Sequence, residues 1–374
     1  MPVEEVSLQG TILSASIYSL GGMGDALLYP LLPVFGEDVG LSALWVGILL
    51  SINKYIRIFA NSLLAYWTAL TGYKRMLLAA SVLATVTTLS YGVGMGLWLW
   101  LISRLLWGIS FAALRITSLG YATEVKQQGF ALGISRAIQE AGPLLALGFG
   151  PVLIRHAGIS QTFMVLALFT AVGILLSLKL PASKLPAKQT LTPRPAKPGR
   201  LDIWVFISSF AVEGVLIVTL GLLLKPYLDS PEKVLGVTAL YLSIRRLGTL
   251  LLTPLAGLLA DYWNLNKLFL LSSAGISGGL LLLATRQTEA GIILTFIAGS
   301  INSAFVPGVA LQKAAGKHKL AVLSALSTSR DAGSASGMLL GIMLFEYFSA
   351  VPLFSGLALL TGLLILWLKK CLRI

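Results

Sequence analysis

The chain has 374 residues, 56% of them hydrophobic and only 11% charged, with a net charge of +13. Soluble domains carry about 25% charged residues, so a water-soluble globule is excluded; apolar runs recur throughout, each near the ~20 residues that carry a helix across a bilayer. The positive balance does not point to nucleic acid, because it lies largely in short loops and no basic, aromatic-interleaved soluble module accompanies it.

Twelve spans are predicted, defining an all-α integral membrane protein. The first runs from Leu8 to Phe35. Glu4 and Glu5 stand before it where a signal peptide carries basic residues, and it is too long for a signal h-region, so it is expected to be retained. It contains Gly21-Gly22-Met23-Gly24-Asp25 and then Pro30 and Pro33, which thin the helix and invite a bend. Asp25 is a candidate proton acceptor, or the static partner of a buried cation. The second span, Leu44 to Ala69, sets Lys54, Arg57 and Asn61 three and four residues apart, on one helical face.

The third span is Met76 to Gly94 and the fourth Leu97 to Tyr121. In the fourth, Arg104 and Arg115 share a face, and Gly108 and Ala112 between them are expected to leave room beside the guanidinium groups. The fifth, Phe130 to Ile154, carries Arg136 and Glu140 one turn apart, for which a local ion pair is the default reading, followed by Gly142-Pro143. The sixth is Thr162 to Leu180.

Between Pro181 and Arg200 the composition changes to five prolines and five basic residues, an extended, solvated tether rather than a helix. It separates a first bundle (residues 1–181) from a second (201–374), with the linker at 182–200. The second half continues with Ile203 to Leu228, where Glu213 follows Ser209 by one turn, and Val234 to Leu259, where adjacent Arg245 and Arg246 point about 100° apart, so only one can face a ligand squarely. Leu268 to Ala284 and Ile292 to Gln312 follow, the latter with Asn302 as a weaker binding candidate near Pro307. Leu320 to Phe345 places Arg330-Asp331 among serines and glycines that allow close packing. Val351 to Leu368 is the last.

Eight cations thus lie at membrane depth (Lys54, Arg57, Arg104, Arg115, Arg136, Arg245, Arg246, Arg330) against four acids (Asp25, Glu140, Glu213, Asp331). A charge at mid-bilayer costs roughly 2.5–3.5 kcal/mol even on the lenient insertion scale, so such groups face protein or a water-filled path. Their sign points to an anionic solute. Discounting Arg104 against Asp25, Arg136 against Glu140 and Arg330 against a neighbouring acid leaves the excess on the second and eighth spans. The loops agree on orientation. Sixteen basic residues fall on the side of both termini and the linker and four on the other, which puts the termini in the cytosol.

The halves share a landmark. Leu50-Ser51-Ile52-Asn53-Lys54 precedes Ala65-Tyr66-Trp67, and Leu242-Ser243-Ile244-Arg245-Arg246 precedes Asp261-Tyr262-Trp263, in the second span of each half. This recurrence points to internal duplication.

Gly257-Leu258-Leu259-Ala260-Asp261, followed by Lys267, resembles the Gly-x-Leu-Ala-Asp loop motif of the major facilitator superfamily. The first-half loop departs from the pattern, with Asn61 for glycine and Ala65 for aspartate, although Gly72, Lys74 and Arg75 remain. Arg104-Leu105-Leu106-Trp107-Gly108 resembles the family's Arg-x-x-x-Gly motif, whose arginine is linked to proton coupling. Gly142-Pro143 resembles part of an antiporter motif, with Ala146 and Leu147 replacing its later glycines. The resemblance implies two pseudo-symmetric six-helix bundles that rock about a midplane site, Gly257, Asp261, Gly142 and Pro143 serving the conformational change.

No enzyme is indicated. His156 and His318 fall on opposite sides, so no metal cluster is expected, and there is no Gly-x-Ser-x-Gly elbow or phosphate-binding loop. No cofactor is expected. The lone Cys371 allows no intrachain disulfide. The sequence is read as a monomeric, multi-pass, proton-coupled secondary transporter of the cell (inner) membrane, moving a small or amphiphilic organic anion, with export preferred. The binding candidates are Lys54, Arg57, Arg104, Arg136, Arg245, Arg246, Asn302 and Arg330, and the protonation candidates are Asp25, Glu140, Glu213 and Asp331. An exporter of cationic or neutral amphiphiles and a non-transporting sensor or scaffold remain alternatives.

Overall fold

The computed structural model describes residues 8–93, 96–123, 125, 128–181, 199–313 and 319–372, and the regular structure among them is entirely helical. Most of the expected linker, residues 182–198, lies outside them.

In the first half, α1 (Leu8–Gly21) and α2 (Met23–Phe35) make one span interrupted at Gly22. α3 (Ala43–Thr71), α4 (Tyr73–Val93) and α5 (Gly96–Thr123) follow. α6 (Gln128–Leu178) is two spans in one, kinked where Gly158 takes φ 82° and ψ 170°, a conformation open to glycine. In the second half, α7 (Arg200–Ser209), a π-helix (Phe210–Leu216) and α8 (Ile217–Leu224) share a span. α9 (Pro231–Tyr262), α10 (Leu265–Ala284), α11 (Thr288–Lys313), α12 (Lys319–Phe348) and α13 (Ala350–Leu372) complete the chain.

These helices make up the twelve spans. Among the described residues nine stretches are by themselves long and apolar enough to cross a membrane, and one of them, Ala131–Leu178, is 48 residues long and holds two spans. α1 and α2 are too short singly, at 14 and 13 residues, but together exceed the ~20 required. Large apolar side chains such as Phe59, Trp98, Leu168 and Leu271 are about 70% exposed, the surface a helix turns to lipid rather than water.

The chain forms two compact units: Met1–Tyr29 with Ile52–Pro193, and Pro30–Ser51 with Arg194–Ile374. In the first, the Tyr73 ring packs tilted against that of Tyr121 (centroids 5.6 Å apart), and Gly120 leaves the space the Tyr73 ring occupies. Gly72, at φ 84°, makes the turn that brings Lys74 under the end of α6. There the Lys74 Nζ donates to the carbonyls of Leu178 (3.0 Å) and Leu180 (2.8 Å), which lie beyond the helix's own hydrogen bonding. Lys74, one of the cations retained in this loop, therefore has a structural use.

The second unit is held by a glycine seam. Gly333, Gly337 and Gly341 recur every four residues along one face of α12. A Cβ at Gly333 would fall on the Phe206 carbonyl, one at Gly337 on the Phe210 carbonyl, and one at Gly341 on Val218. Gly214, inside the π-helix, meets Gly337 directly. Without a hydrophobic drive between helices in lipid, this close backbone approach supplies the packing. Within the same unit, Val34 sits against Gly221, and Gly47 lies on the Leu339 carbonyl.

The repeated aromatic pairs also find a reason. Tyr66 and Trp67 end α3 at 58% and 47% exposed, and Tyr262 and Trp263 close α9 at 84% and 65%. Exposed Tyr-Trp pairs at span ends form the aromatic belt of a membrane protein.

Candidate functional site

In the second unit the site begins with the π-helix. Its wider turn accommodates one more residue than an α-helical turn, and such segments concentrate at functional positions. Glu213 stands at its centre. Arg330, from α12, donates to Glu213 through Nε (2.9 and 3.1 Å to the two oxygens) and Nη2 (2.6 Å). Arg245, from α9, brings Nη2 to 3.7 Å from the same carboxylate. Span eight is therefore not a bare positive excess: Arg245 shares Glu213 with Arg330. The acid that offsets Arg330 comes from span seven.

Around this trio lies a cavity of about 190 Å³. Val212, Ile276 and Phe296 give it apolar walls; Ser208, Ser209, Thr249, Ser300, Ser303 and Ser327 give it hydroxyls. Among the described residues its charged lining is Glu213, Arg245 and Arg330, two guanidiniums to one carboxylate. Arg245 lines it and Arg246 does not, as their angular separation on the helix requires. Asn302 also lines it, yet its amide is engaged in the structure. Its oxygen accepts from Trp204 Nε1 at 3.3 Å and its nitrogen donates to Ser272 and Ser273 at 3.0 and 2.9 Å. Asn302 thus ties α7, α10 and α11 together. Asp331 is 9% exposed and does not line the cavity.

In the first unit Arg104 is fully buried in an ion pair with Asp25. Tyr29 and Tyr91 lie within the field of this pair. Lys54 and Arg57 are buried, at 9% and 7% exposed. The Lys54 Nζ lies 5.9 Å from the Tyr29 ring, and the Arg57 guanidinium 4.6 Å from that of Phe111, within cation–π range. Arg115 donates to Asn61 Oδ1 at 3.5 Å, so the asparagine that replaces the usual motif glycine takes a partner across the unit.

Arg136 is exposed and Glu140 partly buried, one turn apart on α6. One expectation is corrected here. Gly108 does not leave room beside the arginines: a Cβ there would strike Ile56 and the Asn53 carbonyl, so the glycine serves the close approach of α5 to α3. Gly142 likewise packs on Ser19, its N–H donating to Ser19 Oγ at 2.6 Å, while Pro143 meets Gly22. Gly257 and Asp261 fall in α9, at positions outside those whose side chains are described.

Tyr18, Phe111, Trp204, Thr249, Ser300 and Ser303 were not singled out from sequence. Thr249 had a usable signal, lying one helical turn after Arg245. Ser300 and Ser303 flank Asn302 but look like any small residues of a membrane helix. Among the described residues no group of His, Cys, Asp or Glu is placed to hold a metal ion.

The profile of the Major Facilitator Superfamily matches residues 15–244. The chain belongs to this superfamily. It is thus a multi-pass integral membrane transporter and not an enzyme. Among its superfamily relatives, the multidrug resistance protein MdtG of Proteus mirabilis (strain HI4320) is 25% identical over 382 residues, covering 94% of this chain and 93% of that protein. MdtG of Klebsiella pneumoniae (strain 342) is 23% identical, covering 86% and 83%. Two solved structures have the same fold. The nucleoside transporter NupG superposes with a TM-score of 0.78 at 13% identity, covering 96% of this chain and 99% of NupG. A POT family transporter in complex with a thioalcohol-conjugated peptide does so at 0.74 and 11%, covering 98% and 95%.

Proposed function

We propose that this superfamily member is a proton-coupled secondary transporter that moves a small organic anion by alternating access. The observation that carries the reading is the cavity of the second unit, where Arg245 and Arg330 outnumber Glu213. Guanidinium is the side chain suited to bidentate contact with a carboxylate or phosphate. Lys54 and Arg57, buried in the first unit, add to the same sign of field. Arg104, Arg136 and Arg246 are further candidates for the anion.

Two carboxylates are proposed to take up protons. Asp25 faces Arg104 and Glu213 faces Arg330, and protonation of either acid would release a guanidinium. Glu140 and Asp331 are secondary candidates. Gly257, Asp261, Gly142 and Pro143 would serve the rocking of two six-helix halves, residues 1–181 and 201–374, tethered by the linker at 182–200. The protein would act as a monomer in the inner membrane with both termini cytosolic.

That both MdtG relatives are multidrug resistance proteins favours a second reading, a multidrug exporter of cationic or neutral amphiphiles. Exchange assays on proteoliposomes, with matched panels of organic anions, cations and neutral amphiphiles, separate the two. The anion reading requires saturable exchange of anions; saturable exchange of cations alone would sink it.

A further inference from the structure

Six hydroxyl side chains line the cavity beside Glu213, and in four of them the hydrogen is already committed. Ser208 donates to the Val205 carbonyl (3.3 Å), Thr249 to that of Arg245 (3.0 Å) and Ser303 to that of Ser300 (2.7 Å). Thr249 and Ser300 lie 3.1 Å apart, and since the Thr249 hydrogen is used, Ser300 is the donor between them. A hydroxyl has one hydrogen and two lone pairs, so these groups have only acceptor capacity left for a ligand. Arg245 and Arg330 are the opposite: a guanidinium donates and cannot accept.

The lining therefore combines a cationic, donating end with four hydroxyls, at Ser208, Thr249, Ser300 and Ser303, that act as neutral acceptors. We propose that the cavity takes a polyhydroxylated organic anion of the sugar-acid class. The acid group would meet Arg245 and Arg330, while the ligand's hydroxyls would donate to Ser208, Thr249, Ser300 and Ser303. An aliphatic acid of the same length strips those oxygens of water without offering a hydrogen, and a neutral polyol gains no charge-assisted hydrogen bond from the guanidiniums. An ammonium group also donates, but it would enter beside two guanidiniums opposed by one carboxylate. This inference rests on the organic-anion reading above and narrows it to one chemistry.

The test is titration calorimetry on the full-length protein in nanodiscs, with gluconate, hexanoate and sorbitol as six-carbon probes and empty nanodiscs subtracted. Gluconate is expected to bind at least tenfold tighter than either of the others. Thr249→Val combined with Ser303→Ala removes two acceptors and should cut the gluconate-to-hexanoate ratio about tenfold. Arg245→Gln should weaken both acids together and leave that ratio unchanged, a result loss of folding would not produce. Hexanoate binding as tightly as gluconate would overturn the hydroxyl assignment and leave the organic-anion reading standing. Sorbitol binding as tightly as gluconate would overturn both, and failure of gluconate to bind would overturn the sugar-acid proposal.

Discussion

Arg330 donates to both carboxylate oxygens of Glu213, 117 residues earlier in the chain, and so joins α12 to the π-helix of span seven. The glycine seam runs beside this contact, with Gly337 on the Phe210 carbonyl and against Gly214. Charge pairing and close backbone packing thus meet in one stretch of helix, where a change in one bears directly on the other.

Glu213→Gln keeps the shape of the side chain and removes its charge. If this carboxylate carries the coupling proton, accumulation driven by a pH gradient should fall at least tenfold while exchange at equal pH continues. Accumulation at the wild-type level in a reconstituted flux assay would remove Glu213 from the coupling step.

Asp25→Asn leaves Arg104 buried without its charged partner. Breaking a buried pair from one side costs about 3–5 kcal/mol, so this variant should melt well below the parent in a thermal unfolding assay. Arg104→Gln added to it removes the stranded charge and should recover much of the loss. A double variant no more stable than Asp25→Asn alone would contradict the pairing as the cause.

Gly337→Val is expected to abolish folding of the second half, because its side chain must displace the Phe210 carbonyl and Gly214 together. Gly356→Ala meets no atom within 4 Å and should be neutral or slightly stabilising, since alanine is the better helix former by about 1 kcal/mol. Size-exclusion profiles of the two variants give the comparison, and equal behaviour would refute the seam.

Lys74→Ala removes two hydrogen bonds to carbonyls at the end of α6, an interaction of about 1 kcal/mol for a partly exposed group. Its melting temperature should drop by a few degrees. Arg75→Ala, at an exposed neighbour, should leave it within error. A matching drop in both would point to loop charge rather than the carbonyl contacts.

The partnerships divide into those legible in the chain and those that are not. Asp25 with Arg104 was readable as an option, because each is a rare charge at membrane depth. Glu213 with Arg330 joins distant spans and follows no spacing rule. Asn302 was singled out as a polar group in an apolar helix, but only its contacts with Trp204, Ser272 and Ser273 reveal that it fastens helices.

What the sequence determined by itself was the solvent and therefore the architecture. In hydrocarbon every backbone polar group must be satisfied within its own segment, so apolar runs of bilayer length dictate helices and their number before any contact is known. Loop charge likewise predicts an orientation. Tertiary structure alone decided which buried charges meet, which glycines are seams rather than spaces, and that a hydroxyl-lined cavity surrounds Glu213. Those outcomes depend on the angle at which each side chain leaves its helix and on which neighbour packs there, and hydropathy carries neither.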